Sequence, residues 1–310
     1  PLEVSHEWWR KKSSSKRSRP GETGAAQRRK KSGCTEVLYS HRLIGGSMAT
    51  NDQFDHSLRK NVREDQILKA ITSNSASHSG VLVGPGDDAA VLPPVAAPLV
   101  VSVDQCIEHL HFLPGTPLAD VGVKSVRRAA GDLAAMAASP VGLVATAFLP
   151  ASMTHTEALL LYESIQQEAE RLDCPLVGGD TCIQRMESDS GIHLTVTVLG
   201  SVGRPVSRSG AKAGDRIFVT GPLGGSFASG RHLAPPVRIP EAIQLRSCLG
   251  DDLHAMIDIS DGLGKDAMAI ASSSHVRFVL ESGLIPCHPG SNWHNACLLY
   301  TSPSPRDSCA

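Results

Sequence analysis

Short apolar runs alternate with longer amphipathic segments along the middle of the chain. The apolar runs are rich in β-branched residues or alternate in polarity, which is typical of strands. Strands are predicted at 98–104, 141–149, 174–181, 192–202 and 214–221. Helices are predicted at 154–172 and at 118–139, an Ala-rich segment that we expect Pro140 to stop. Residues 255–272 predict a strand, a turn and a helix in succession.

This order of strands and helices predicts an α/β or α+β fold in packed layers. The 310 residues are enough for two domains. A boundary is predicted near 203–214, between an N-terminal domain at 48–202 and a C-terminal domain at 203–296. The Pro-rich stretch 232–240 predicts a loop or a connection into a helix.

Composition is that of an ordinary soluble globular protein, with 41% hydrophobic and 20% charged residues. No apolar run approaches the roughly 18 residues that a membrane helix needs, so no membrane partner is expected. The eight cysteines form no C-x-x-C pair. That spacing favours reduced thiols in a cytoplasmic protein over a disulfide framework.

Charge is distributed unevenly. Residues 1–47 carry 11 Lys and Arg against 4 Asp and Glu, while the rest of the chain carries 19 against 27. A basic stretch such as "RRKKSG" is compatible with a nucleic-acid-binding arm or a transit peptide. However, the segment has no clear amphipathic period, and the first plausible start is Met48. We therefore expect a disordered or non-native tail at 1–47, and no nucleic-acid partner.

The last residues, 297–310, also differ from what precedes them. "CLLYTSPSPRD" resembles the translation of a sequencing-library adaptor, and we expect the native protein to continue past about residue 296. Four residues nearby could be interpreted as a metal cluster: Cys287, His288, His294 and Cys297. Their spacing fits no zinc pattern well, so a zinc site is not favoured.

Acidic residues recur at or near the ends of the apolar segments: Asp88, Asp104, Asp132, Asp180, Asp258 and Asp261. A single acid at such a place is usually a cap or a turn residue. If several converge, each pair at 4 Å repels by about 1 kcal/mol in water and about 4 kcal/mol at an effective dielectric near 20. No Lys or Arg recurs beside them in the sequence. Mg²⁺ with oxygen ligands is the natural way to offset that repulsion.

The usual phosphate-binding loops are missing. There is no G-x-x-x-x-G-K-[ST], and "GPGDDA" is followed by Pro93 and Pro94, which prevent the helix that a dinucleotide fingerprint must open. Phosphates would then be held through metal ions and through backbone amides near Gly178–Gly179 and Ser260–Gly262.

Six motifs occur together: "GPGDDAAVL", "VSVDQCIEHLHF", "GDLAAMAASP", "LVGGDT", "RSGAKAGDRIFVTG" and "IDISDGL". In this order and spacing they closely resemble the thiamine-monophosphate kinase family, of the superfamily typified by aminoimidazole ribonucleotide synthetase. The resemblance covers roughly 66–280. It implies phosphorylation of thiamine monophosphate to thiamine diphosphate by ATP. It also implies a homodimer of two-domain α/β subunits with a mixed-sheet N-terminal domain, and ATP and several Mg²⁺ ions between the domains.

The resemblance assigns roles to individual residues. The implied Mg²⁺ ligands are Asp88, Ser102, Asp104, Asp132, Asp180, Asp258 and Asp261. The implied ATP contacts are Gly179, Asp180, Arg208 and Ser260. His111 matches a substrate-contacting position, and the structural alternative for it is a surface histidine at a strand end. No protein nucleophile is implied, because the phosphate oxygen of the acceptor is already ionised and can attack ATP in line.

The chain departs from the family pattern in three places. Gly131 stands where Ser is usual, and Val103 stands where Thr is usual. The family's C-terminal segment, which contacts the thiamine rings, is absent or replaced after about residue 290. Two other functions stay open: another ATP-dependent synthetase of the superfamily, and an inactive nucleotide- or metal-binding fragment.

Overall fold

A computed structural model describes residues 80–85, 89–184 and 191–297. The predictions for residues 1–47, for Asp88 and for 298–310 lie outside these described residues. The described residues belong to one compact unit, Asp55–Ala310, while a first unit, Pro1–Phe54, lies outside them. The domain boundary expected near 203–214 falls inside the second unit and stays a prediction.

A four-stranded mixed sheet forms the centre of the fold. Its strands are β1 (Leu99–Ile107), β2 (Ser139–Leu149), β3 (Leu176–Ile183) and β4 (His193–Ser201). They lie in the order β1-β4-β2-β3, so β1 and β3 are the two edges. β4 is antiparallel to both neighbours, and β2 is parallel to β3, as expected for strands joined by a crossover helix. The predicted α/β fold class is confirmed.

Two helices cover one face of the sheet: α1 (Leu118–Ala135) and α2 (His155–Arg171). Thr154 and Glu157 form a capping box that fixes the start of α2. The core between helices and sheet is aliphatic, with residues such as Leu133, Leu161 and Val196 fully buried or nearly so. Helix burial against the sheet therefore supplies the main hydrophobic stabilisation of the described part of the chain.

Helix α1 ends earlier than the sequence predicts. Its last residue is Ala135, and Ala137 already has a left-handed φ of 55°. Pro140, expected to stop the helix, lies inside β2, where a register shift follows it between Pro140 and Gly142. Such an irregularity is how a strand accommodates a residue that cannot donate to the ladder.

The second half of the described chain contains three α-helices: α3 (Ile239–Leu249), α4 (Leu263–Ser273) and α5 (Trp293–Cys297). The strands predicted at 214–221 and at the start of 255–272 are wrong, because both stretches are irregular. A strand needs a hydrogen-bonded partner, and no described residue forms a ladder with either stretch. Phe218, in the first of them, is 81% exposed.

The other face of the sheet, which we call the outer face, carries exposed apolar side chains. On β1, Leu99, Val101 and Val103 are each more than half exposed. The strand register places a polar row on the same face, running from Gln105 across β4 and β2 to Asp180. Among the described residues, no helix is both long and apolar enough to cross a membrane, and all six described cysteines are free.

Candidate active site

A large open cavity of about 1780 Å³ lies between α1 and the irregular segments of the second half. Its lining includes seven of the site residues predicted from the sequence: Asp104, His111, Asp132, Arg208, Asp258, Ser260 and Asp261. Residues from β1, the turn after it, α1 and two later loops thus meet around one space. Concave sites of this kind are where ligands and catalytic groups collect.

Three carboxylates and a hydroxyl form an acidic cluster on one side of the cavity: Ser102, Asp104, Asp132 and Asp258. The hydroxyl of Ser102 donates to the Asp132 carboxylate. Burial raises the pKa of Asp104, and Asp132 raises it further, against the lowering effect of Arg128. Burial raises the pKa of Asp258 to about 6, and the neighbouring carboxylates of Asp132 and Asp266 add to that shift. The cluster therefore concentrates negative charge that water cannot fully solvate.

Two arginines partly balance this charge, although no Lys or Arg recurs beside the acids in the sequence. The guanidinium Nη2 of Arg128 lies 3.3 Å from Asp104 Oδ1. Arg208 lowers the pKa of Asp258. Arg128 lies one helical turn before Asp132 in α1, so the two side chains share a face of the helix. This pairing depends on packing between α1 and β1, and proximity in the sequence does not show it.

The turn at Ser260–Gly262, expected to offer amides to a phosphate, is already occupied by a protein carboxylate. The N–H groups of Ser260 and Asp261 donate to Asp266 Oδ2 at 3.0 and 3.1 Å. Asp266 lies in the first turn of α4 and is 6% exposed. Asp261 itself pairs with Lys265 Nζ at 2.5 Å. The signal missed in the sequence is an acid in the first turn of a helix, where such residues satisfy free amides.

His111 lies in the tight turn after β1 and is more than a surface histidine. Its Nδ1 accepts a hydrogen bond from the Ile107 N–H at 2.9 Å, which leaves the proton of the neutral ring on Nε2. Burial, with Arg128 and Lys124 nearby, lowers the pKa of His111 to about 4. The ring lines the cavity as a neutral hydrogen-bond donor at physiological pH.

Asp180 and Gly179 are not brought together with the acidic cluster. They lie on β3, the edge strand opposite β1. Thr181 points towards α2, where its hydroxyl bonds that of Tyr162, so Asp180 points to the outer face and is exposed. Gly179 has a packing reason of its own, because a Cβ there would lie 2.0 Å from the Ala145 carbonyl oxygen.

The donor set of the acidic cluster is chemically suited to a hard divalent cation. Its oxygens are carboxylates and one hydroxyl, partly buried and mutually repelling. Within residues 80–85, 89–184 and 191–297, no three His, Cys, Asp or Glu side chains are grouped closely enough to hold an ion. Mg²⁺ usually takes only one or two protein carboxylates and completes its shell with water and phosphate oxygens. The cluster fits that pattern rather than a closed protein cage.

Two departures from the family pattern have little consequence for this cluster. Gly131 lines the cavity, and open space surrounds the position of a Cβ there. Val103 points to the outer face and is 59% exposed, whereas the side chain of Asp104 lies on the helix-covered face. A hydroxyl at position 103 would therefore not reach the Asp104 carboxylate of the same chain.

Lys124 is a further cavity residue that the sequence did not single out. It lies two turns before Asp132 on α1, with Arg128 between them, so the three share one stripe of the helix. Its ammonium donates to the carbonyl oxygen of His232 at 2.9 Å. Burial lowers the pKa of Lys124 to about 8. The spacing of four residues between Lys124, Arg128 and Asp132 is the signal that could have found it.

The chain combines a mixed sheet, helices on one face of that sheet and an acidic cavity beside it. A family match agrees with this α/β architecture. Residues 86–202 match the family described as AIR synthase related protein, N-terminal domain. The chain is 32% identical to a thiamine-monophosphate kinase of Rhodopirellula baltica over 234 residues, covering 72% of this chain and 71% of the relative. It is also 32% identical to the enzyme of that name from Mycobacterium tuberculosis over 277 residues, 81% and 80% of the two chains.

A solved structure described as AaThiL complexed with AMPPCP and TMP superposes with a TM-score of 0.60 at 26% identity. The superposition covers 76% of this chain and 80% of that one. With the two kinase relatives, this likeness extends well beyond the N-terminal match. The chain belongs to the thiamine-monophosphate kinase family.

Proposed function

We propose that the chain transfers the γ-phosphoryl group of ATP to thiamine monophosphate, giving thiamine diphosphate, with Mg²⁺ assisting an in-line displacement. The observation that carries this proposal is the cavity in which an acidic cluster faces two arginines and a buried lysine. Family membership and the AMPPCP and TMP complex of the relative support the same two substrates. A phosphorylated acceptor needs no general base, because its own oxygen is already ionised.

We assign the candidate site residues to three roles: metal ligands, ATP contacts and an acceptor contact. Asp104, Asp132 and Asp258, with Ser102, are the ligands we propose for metal ions, and Asp88 and Asp261 are proposed as further ones. When bound, Mg²⁺ supplies neutralisation of the charge on the transferring phosphoryl group. Arg208 and Ser260 are proposed ATP contacts, and the planar guanidinium of Arg208 suits phosphate oxygens. His111 would donate its Nε2–H to the acceptor.

We also propose that the functional form is a homodimer joined through the outer face of the sheet. Leu99, Val101 and Val103 leave an apolar strip on that face that no described residue of the chain covers. Exposed apolar patches bordered by polar residues are typical of protein interfaces. Asp180 lies on the same face, so a second copy is the arrangement that would give Asp180 and Gly179 a metal or ATP contact.

The division into a domain at 48–202 and a partial one at 203–296 is part of the same proposal. The cavity lies where the two stretches meet, which is where the family would bind ATP. Free cysteines throughout the described residues agree with a cytoplasmic location.

Substitution of one cluster carboxylate tests the metal-dependent reaction. Asp104→Asn should reduce Mg²⁺-dependent transfer from ATP to thiamine monophosphate at least a hundredfold, because it removes a ligand charge while keeping the side-chain volume. Asp173→Asn, on a turn away from the cavity, is the matched control and should retain wild-type turnover. Turnover of Asp104→Asn within threefold of wild type would refute the metal role.

The same assay separates the alternatives. Transfer to an amide- or formyl-bearing acceptor instead would favour another synthetase of the superfamily. ATP binding without any turnover would favour an inactive nucleotide-binding fragment.

A further inference from the structure

Lys124 is a buried cation for which the described residues provide no counter-ion. It is 1% exposed, although it lies at the wall of the large cavity. Its ammonium forms one hydrogen bond, to the neutral carbonyl of His232 at 2.9 Å, and no carboxylate among the described residues lies within ion-pair distance of it. An ammonium has three donors, and burying its charge unpaired is costly. Within the described part of the chain, two of its three N–H groups are therefore available to an anion.

The neighbours of Lys124 do not neutralise it. The adjacent Cys106 is a buried thiol, 1% exposed. Arg128, the next residue along the stripe, is itself a cation. His111, which also faces this region, has its pKa lowered to about 4 and is neutral. The stripe therefore presents net positive charge at its Lys124 end and the acidic cluster at its Asp132 end.

Arg127 provides an internal comparison. It lines the same cavity, but its Nε lies 2.6 Å from the fully buried Glu168 carboxylate. Its Nη1 also donates to the carbonyls of Ala234 and Pro235 at 3.3 and 3.2 Å. Arg127 thus has the partners that a structural cation needs. Lys124 has only the carbonyl, for which a neutral donor would serve as well.

We propose that Lys124, with Arg128 beside it, binds the phosphate that the acceptor carries before the reaction and so makes the enzyme select a phosphate monoester. A dianion at this end of the stripe would lie between the two cations and the Nε2–H of His111, with the acidic cluster and its metals beyond. An uncharged alcohol would leave Lys124 without a counter-ion, whereas Arg128 keeps its ion pair with Asp104. This inference rests on the proposed function for the identity of the acceptor, although not for the presence of an anion site.

The test uses the full chain and compares Lys124→Met, which removes the charge, with Lys124→Gln, which keeps a neutral donor for the His232 carbonyl. Arg204→Met is the control, since Arg204 is an exposed cation outside the cavity lining. Both Lys124 variants should raise the KM for thiamine monophosphate at least tenfold while leaving the KM for ATP within twofold. Arg204→Met should leave both constants unchanged. Wild-type behaviour of Lys124→Gln, with loss only in Lys124→Met, would show a structural hydrogen bond and overturn the inference.

A binding measurement keeps the inference separate from the proposed function. Titration calorimetry with inorganic phosphate, in buffer without divalent metal, should show binding to wild type that weakens at least tenfold in both Lys124 variants. If wild type fails to phosphorylate thiamine monophosphate but shows this loss, the proposed function fails and the anion site stands. Equal phosphate affinity in wild type and variants, or no binding to wild type, would overturn the anion site.

Discussion

Hydrogen bonds and ion pairs of individual side chains determine how the negative charge in the cavity is balanced. Ser102 holds Asp132 through a hydrogen bond, and Arg128 holds Asp104 through an ion pair. The pKa of Asp258 is raised to about 6 by burial and by the carboxylates around it, against the lowering effect of Arg208. The cavity thus combines restrained acids with an excess of negative charge. That combination suits a site that must accept metal ions and then phosphates.

The lowered pKa of His111 predicts how the free energy of unfolding depends on pH. Its pKa in the folded protein is about 4, below the ordinary value of 6.5, so the unfolded chain binds a proton that the folded chain does not. Its contribution to stability is present above pH 6.5 and is lost as the pH falls towards 4. His111→Asn keeps an acceptor for the Ile107 N–H but cannot titrate.

The measurement is urea unfolding of both proteins between pH 7 and pH 4.5. The free energy of unfolding of wild type should fall relative to that of His111→Asn over this range. Parallel curves would show that His111 titrates normally in the folded state.

Among the helices and strands, α1 contributes several of the charged residues of the cavity. It presents Lys124, Arg128 and Asp132 on one stripe and packs its other face on the sheet and α2. Its two glycines behave differently. Open space surrounds Gly131, whereas a Cβ at Gly122 would lie 1.8 Å from the Ser164 hydroxyl oxygen and 3.1 Å from the Ile165 nitrogen. Gly122 allows the close approach of α1 to α2, and Gly131 has no such packing role.

These two glycines form a matched pair for a stability test. Gly131→Ala should raise the free energy of unfolding by roughly 0.5–1 kcal/mol, because alanine restricts the unfolded chain and favours helix. Gly122→Ala should lower it by about 1–3 kcal/mol through overpacking against α2. Thermal or urea unfolding measures both. A loss of stability in Gly131→Ala would contradict the open environment at that position.

The sequence predicts the elements of the first half well because their signals are local. The apolar period predicts a helix at 154–172, and α2 spans 155–171. Strands at 214–221 and at the start of 255–272 are predicted wrongly because strand formation needs a partner, which a local pattern does not reveal. The site is predicted only in part, because contacts between distant segments are not visible in a local pattern either. Asp104 and Asp132 meet as expected, whereas the capture of the Ser260 amide by Asp266 depends on tertiary packing.

On the scale of the whole molecule, polar bonds join the two halves around the cavity. Lys124 and Arg127 on α1 donate to carbonyls at His232, Ala234 and Pro235, more than a hundred residues away. The cavity is therefore formed by residues from both halves of the described chain, and no single motif forms it alone. The outer face of the sheet is a second large-scale feature, because its apolar side chains lie uncovered by the described residues.

Charge on the outer face should disrupt the proposed dimer. Val101→Lys places an ammonium in the centre of the apolar strip, where Val101 is 58% exposed. Leu160→Lys, at a 46% exposed position on α2, makes the same type of change away from the sheet. Light scattering coupled to size-exclusion chromatography should give a dimer for wild type and Leu160→Lys and a monomer for Val101→Lys. A dimer for all three proteins would exclude the outer face as the interface.

A competition between two acceptors tests whether the enzyme phosphorylates thiamine monophosphate. Thiamine and thiamine monophosphate are supplied in equal amounts with ATP and Mg²⁺, and the monophosphate and diphosphate products are followed with time. Thiamine's hydroxyl needs a general base, and the acidic residues of the cavity are the proposed metal ligands, whereas the monophosphate carries its own ionised nucleophile. We expect thiamine diphosphate to accumulate while free thiamine is untouched. Preferential phosphorylation of free thiamine would contradict the proposed acceptor.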